Sequence, residues 1–263
     1  MHSLIVIRRA AALVVVAAFA VFAVFGPPGA ARAETPAGSS VESRLLVGFK
    51  AGDAAVGGLL PEGWLPVTLP RGPLAGTNLV LVLMDRHLVR DAGGAPEAVP
   101  ADTAAALLVY GREDGAEGVR PFIAMVFETP PVVDVYANSV AARITREAAL
   151  TSDGARKTRR ESWVIAPEGG GRLAFEVAYR SGVPVWATGG ESRPWSAARP
   201  DFGRIYRYDQ LADPLANAAT GRPLAGEASF TSDIPALAGV FDGSEQVAAI
   251  IAVPVYAREV SLP

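Results

Sequence analysis

The chain has 263 residues, 50% of them apolar and 19% charged, with a formal charge of −3 and no cysteine. This composition excludes a disordered polypeptide and, without cysteine, excludes disulfides, thiolate metal sites, a cysteine nucleophile and a lipidated cysteine anchor. The acidic balance argues against nucleic acid as a partner, because phosphate binding needs a basic face.

Arg8 and Arg9 precede an unbroken apolar run from Ala10 to Phe25, followed by Gly-Pro-Pro and then Ala31-Arg32-Ala33. A positive start, a short apolar centre and an A-x-A exit are the marks of a secretory signal peptide. The run is shorter than the ~20 residues a bilayer span needs. Residues 1–33 are therefore expected to leave by cleavage after Ala33, giving a secreted or periplasmic protein with no stable membrane insertion. The alternative is a leader kept as an anchor, and Arg8-Arg9 also admits a twin-arginine route. The leader carries three arginines, and subtracting three from −3 leaves −6 on the mature chain.

Residues 34–42 read as a flexible lead-in. Apolar runs of strand length then recur between Gly, Pro and Asp: Arg44–Lys50, Thr77–Val89, Ala104–Tyr110, Pro121–Glu128, Ser162–Ala166, Arg172–Tyr179 and Gln246–Val260. Ser152-Asp153-Gly154 and Glu168-Gly169-Gly170-Gly171 are hairpin signals. Pro254 inside the last run implies an edge or a bulge. Val132, Val133, Tyr136, Val140 and Ile144 recur at helical spacing after Pro130-Pro131, a good helix start. Ser232-Asp233-Ile234-Pro235 opens a short capped helix ending at Gly243, and Leu211–Ala219 reads as a further helical turn. Many strands, few helices and no linker or internal repeat predict one mainly β domain over residues 43–263.

Chemistry has few addresses. His87 is the only histidine after the leader, and Lys50 and Lys157 are the only lysines. Multi-histidine metal sites are thereby excluded, and no metal or cofactor is expected. No G-x-S-x-G, H-E-x-x-H, P-loop or G-x-G-x-x-G follows a strand. His87 beside Asp85 reads either as a lone general base or as an ordinary strand-end histidine, the second being the commoner case. Arg156–Arg160 reads as a solvated hairpin edge whose charges discourage strand aggregation, or less simply as an anion-binding run. The stretch Glu191–Trp195 with Phe202, Tyr206 and Tyr208 is a loop pinned by its rings or a cover over a pocket.

Three segments resemble the acetoacetate decarboxylase family. Val56–Val67, with Leu60-Pro61-Glu62-Gly63-Trp64, is similar to a leucine-proline-glutamate-glycine-leucine stretch near that family's start. Arg120–Glu128 is similar to the strand that leads, through a short helix, to an aromatic residue, a proline and two lysines. Ala228–Leu237, running into Val247–Val260, is similar to the family's closing segment. The resemblance implies an antiparallel β-barrel with flanking strands and a few short helices around a small apolar cavity.

Members of that family decarboxylate a β-keto acid through a lysine Schiff base. Around the corresponding place this chain reads Ser139-Val140-Ala141-Ala142-Arg143-Ile144-Thr145-Arg146, with no lysine pair, and an arginine cannot form an imine. An arginine in such a cavity would instead anchor a carboxylate through two charge-assisted hydrogen bonds. Arg143 is that candidate, unless it faces solvent or pairs with Glu147. Glu113, Glu128, Tyr136 and Asn138 complete the candidate ligand-binding set. The expected function is binding of a small, partly apolar carboxylate. The alternatives are a lyase or isomerase acting on a keto acid through Glu113, Glu128 or His87, and a non-catalytic envelope protein.

Overall fold

The structure is a computed structural model that describes residues 33–97, 102–154 and 156–263. All of the expected leader except Ala33 lies outside the described residues. In chain order the strands are β1 (Thr35–Lys50), β2 (Trp64–Pro66), β3 (Leu79–Arg90), β4 (Thr103–Glu113), β5 (Val119–Glu128), β6 (Ser139–Asp153) and β7 (Arg156–Pro167). They continue as β8 (Leu173–Arg180), β9 (Val185–Ser192), β10 (Trp195–Ser196), β11 (Ile205–Asn217), β12 (Gly226–Ser232) and β13 (Gln246–Leu262). One short helix, α1 (Asp53–Gly57), and two 3-10 turns, at Ala218–Thr220 and Pro235–Leu237, complete the described elements.

All thirteen strands belong to one sheet, ordered β12-β8-β7-β6-β5-β4-β3-β1-β13-β11-β9, with β10 beside β5 and β2 beside β4. The two end strands do not pair, so the sheet is open and the expected closed barrel is not formed. The sheet is also mixed, because β5 runs parallel to β6 and to β10. Alternating apolar residues specify which face of a strand is buried. They do not specify that the first and last strands meet, which requires a consistent tilt and stagger around the whole ring. Here the two halves join through only three parallel pairs, from Val126–Ser139 to Glu128–Ala141.

Period-2 patterning puts one apolar face of each strand into a common core. Leu45, Val47 and Phe49 of β1 meet Leu79, Leu81 and Leu83 of β3, Leu107 and Val109 of β4, Trp163 and Ile165 of β7, and Leu173 and Phe175 of β8. Each such side chain stabilises the fold by about 1.5–3 kcal/mol when fully buried. Phe49, Phe230 and Phe241 form a ring trio with centroids 4.6, 5.3 and 4.7 Å apart. A second apolar cluster gathers Ala106, Ile123, Val126, Tyr136, Tyr206 and Val260.

Several expectations change. Of residues 34–42, read as a flexible lead-in, all from Thr35 on belong to β1, which pairs with β13 from Thr35 and with β3 from Ser39. The helix expected after Pro130-Pro131 is absent: residues 129–138 are loop, and Val140 and Ile144 lie in β6. Spacing of four residues fits a helical turn, yet it is also two strand repeats. Ser139–Asp153 pairs with β7 along twelve residues, and that long-range ladder decides the ambiguity. Leu211–Asn217 is likewise strand, and the helix expected before Gly243 is a single 3-10 turn.

Both hairpin signals hold. Gly154 (φ +58°) turns β6 into β7, and Gly171 (φ +76°) turns β7 into β8. A Cβ on Gly171 would lie 2.6 Å from the Asp233 carbonyl oxygen, so that turn requires glycine for room as well as for φ. Pro254 sits at a bulge on both sides of β13: the register jumps between Glu42 and Arg44 on β1 and between Leu211 and Asp213 on β11.

Candidate functional site

The inward faces of β3 and β7 run out of apolar residues in phase. Leu79, Leu81 and Leu83 are succeeded by Asp85 and His87, and Ile165 and Trp163 by Glu161 and Arg159. On β6 the inward residues Ala142 and Ile144 give way to Arg146. A polar layer therefore closes one end of the core. Arg146 makes an ion pair through Nη1 with Asp85, and its Nη2 lies 3.1 Å from Glu161 Oε2. Arg146 Nε (3.3 Å) and Trp163 Nε1 (3.3 Å) donate to the same Glu161 oxygen. The Arg146 guanidinium also lies over the Trp163 ring, 5.1 Å from its centroid. Every donor nitrogen of Arg146 is thus engaged by the layer itself.

Above this layer opens a cleft of about 260 Å³, lined by Ser43, His87, Arg146, Ala148, Ala149, Leu150, Arg159 and Pro254. Half of its wall is polar and half apolar. Arg159 is held by Glu161, whose Oε1 lies 3.5 Å from its Nη1, and by a hydrogen bond to the Tyr179 hydroxyl, and its side chain stays 25% exposed where it lines the cleft. His87 is half-exposed, with Nδ1 3.9 Å from Asp85 Oδ1, beyond hydrogen-bonding reach. Tyr179 stands behind, its hydroxyl pushed up to about 12 by burial and by the Glu161 charge, against the opposing pull of Arg159. It is therefore a neutral group at ordinary pH. A small anion in this cleft would meet Arg159, His87 and Ser43 beside the apolar side chains of Ala148, Ala149, Leu150 and Pro254.

The five sequence-predicted ligand residues are not gathered here, and none of them lines this cleft. Arg143 points outward from β6, exposed and opposite Ala166. Glu113 is exposed at the end of β4. Glu128 is buried, and its carboxylate accepts the backbone N–H groups of Val133 (3.0 Å) and Asp134 (3.4 Å), closing the following loop. Asn138 donates to the Ile123 carbonyl at 2.6 Å. Tyr136 is buried and hydrogen-bonds the Tyr206 hydroxyl; burial first, then Tyr206, raises its pKa. Of the residues weighed in the sequence, His87 does line a cleft, and Arg159 of the basic run joins it.

Tyr136 and Tyr206 belong to a second polar cluster built on β1, β11 and β13. Glu42 is fully buried, 3.1 Å from Arg44 Nε and 3.3 Å from Arg258 Nε, and accepts from Ser40 Oγ at 2.7 Å. Arg44 lies over Tyr256 at 3.6 Å and Arg258 over Tyr206 at 4.5 Å. Burial pushes the Glu42 carboxyl up, but the two guanidiniums and the hydrogen bonds from Arg44 and Ser40 outweigh it and hold the group at about 2. The signal for this cluster is the alternation Ser40, Glu42, Arg44, which a lead-in reading of residues 34–42 hides.

No protein-family model matches the sequence, and no curated protein sequence matches it either. The fold does have solved counterparts. An acetoacetate decarboxylase-like enzyme from Sphingomonas wittichii RW1 matches with a TM-score of 0.52 at 14% identity, over 86% of this chain and 91% of that one. The enduracididine biosynthesis enzyme MppR, complexed with the condensation product of pyruvate and imidazole 4-carboxaldehyde, matches with a TM-score of 0.50 at 9% identity, over 86% and 87%. This chain has an acetoacetate decarboxylase-like fold.

Within that acetoacetate decarboxylase-like fold neither lysine lines the arginine cleft. Lys50 ends β1 with its side chain 40% exposed, 2.6 Å from Asp53 Oδ1 and 3.0 Å from Thr68 Oγ1. Lys157 is exposed beside the β6–β7 turn.

Proposed function

We propose that this protein is exported and binds a small, partly apolar carboxylate in the 260 Å³ cleft, without Schiff-base chemistry. The observation that carries the reading is the lining of that cleft, which brings Arg159, His87 and Ser43 together with Ala148, Ala149, Leu150 and Pro254. Arg159 supplies charge-assisted hydrogen bonds to the carboxylate, and Leu150, 55% exposed in the free protein, is covered by the apolar part. The exposure of both lysines supports the absence of an imine step. The leader supports export, and sequencing of material exported from a bacterial host should begin at Glu34.

Titration calorimetry with butyrate and 2-oxobutyrate tests the binding. Arg159→Gln should weaken both by roughly 10-fold or more, the worth of a charged hydrogen bond, and butyramide should not bind. Borohydride added to the 2-oxobutyrate mixture should leave the protein mass unchanged. Equal affinity in the variant, or a stoichiometric adduct on Lys50 or Lys157, would sink this reading. His87 in the same wall favours one alternative, a lyase in which its imidazole moves a proton. Turnover of 2-oxobutyrate that disappears in His87→Gln would establish that alternative.

A further inference from the structure

A second hollow lies where the end of β11, the loop 221–225 and the first residues of β12 and β13 meet. Its volume is about 530 Å³, twice that of the arginine cleft, and the two share no lining residue. Its floor is apolar: Ala216, Leu224, Ala228, Val247, Ala248 and Ile250. The room exists because so many of these side chains are methyl groups. Val247 is 40% exposed, so the floor is apolar surface in contact with water.

Two charged residues stand on its rim, and they differ. Glu227 lies 3.8 Å from Arg160 and is offset by it. Arg222 has no carboxylate partner among the described residues. Its position is nevertheless fixed. Its backbone N–H and carbonyl both bond Asn217 at 2.9 Å, and its Nη1 donates to the Pro214 carbonyl at 2.8 Å. Asn217 is itself buried, with its side chain donating to the Pro73 carbonyl at 2.9 Å and accepting from the Thr220 N–H at 3.0 Å. Arg222 therefore lines an apolar hollow while tethered through Nη1 and its backbone, which reduces the freedom it has to lose on binding.

We propose that this hollow is a binding site for straight-chain monocarboxylates of roughly eight to twelve carbons, a length that an apolar site of this size accommodates. The carboxylate bonds Arg222, and the chain covers Leu224, Val247 and Ile250. A dicarboxylate would bring its second charge onto the uncovered floor or against Glu227, so the site selects one charged end.

Calorimetry below the micelle concentration tests this with octanoate, decanoate, decanol and sebacate. Affinity should rise about two- to fourfold per added methylene, and decanol and sebacate should bind at least roughly 10-fold more weakly than decanoate. Arg222→Gln should cost decanoate about 10-fold or more and leave decanol unchanged. Ala228→Trp, at an exposed position on the edge strand β12, should abolish both without shifting the melting temperature. Arg159→Gln should change neither, which separates this site from the arginine cleft. Absence of decanoate binding, unchanged binding in Arg222→Gln or Ala228→Trp, or loss in Arg159→Gln overturns the proposal.

Discussion

Glu42→Gln should destabilise the folded chain by about 3–5 kcal/mol, because removing one partner of a buried ion network leaves the other charges uncompensated. Glu42 is fully buried on β1, and both guanidiniums that approach it, Arg44 and Arg258, are largely withdrawn from water. With a neutral amide in its place, two cations face each other in the space between β1, β13 and the tyrosines. Ser40 Oγ, which donates to Glu42 and accepts from Arg258 at 2.9 Å, loses its ionised partner as well. Urea unfolding at pH 7 measures the effect as a lowered midpoint at unchanged slope. Replacing the whole trio (Glu42→Leu with Arg44→Met and Arg258→Met) should recover most of the loss, since a packed apolar substitute for a buried ion network is often neutral or stabilising. A Glu42→Gln protein within about 1 kcal/mol of wild type, the usual worth of a surface pair, would show that the cluster is hydrated and weakly coupled.

The same carboxylate should dominate the acid limb of the stability profile. Its folded value of about 2 lies below the 4.5 of an unperturbed glutamate. A depressed carboxyl contributes stability that is complete above the unfolded value and is lost as pH falls through the folded one. The window is therefore pH 4.5 down to 2, and the loss across it is roughly 3 kcal/mol at 1.36 kcal/mol per unit. The exposed carboxyls that are also lowered, Glu34 beside Arg207, Asp53 beside Lys50 and Asp242 beside Ser244, add little because water screens their interactions. Unfolding free energies measured at pH 7, 4.5, 3 and 2 should fall steeply for wild type. The Glu42→Gln profile should be flatter by about that amount; an acid limb of equal steepness in the variant would remove Glu42 as its source.

Strand positions were legible wherever apolar residues alternate over a sufficient length. Thr77–Val89 and Gln246–Val260 read as strands because period-2 burial is written into the residues themselves. The β6–β7 ladder was only half legible. Arg156–Arg160 carries too much charge to read as a strand, and Val140 and Ile144 are spaced ambiguously between helix and strand. The strand decides between the two readings of Arg143: with Ala142, Ile144 and Arg146 facing inward on β6, Arg143 turns to solvent, as the alternative to a carboxylate anchor held. His87 was visible as a lone imidazole at a strand end. Its neighbours were not, because Ser43, Arg159 and Pro254 come from three other strands and meet only through pairing registers that no local signal contains.

Composition alone determined that this protein has no thiol chemistry, no multi-histidine centre and almost no amine to spare, since an absent side chain cannot be supplied by folding. Local pattern determined its mainly β character, its two glycine turns and the bulge at Pro254, which depend on residues close in the chain. Whether the sheet closes, which arginine reaches a hollow and how Glu42 becomes a buried anion were decided by tertiary structure. Each depends on contacts between residues tens to hundreds of positions apart, where many registers are compatible with the same alternation and only the packing of the whole selects one.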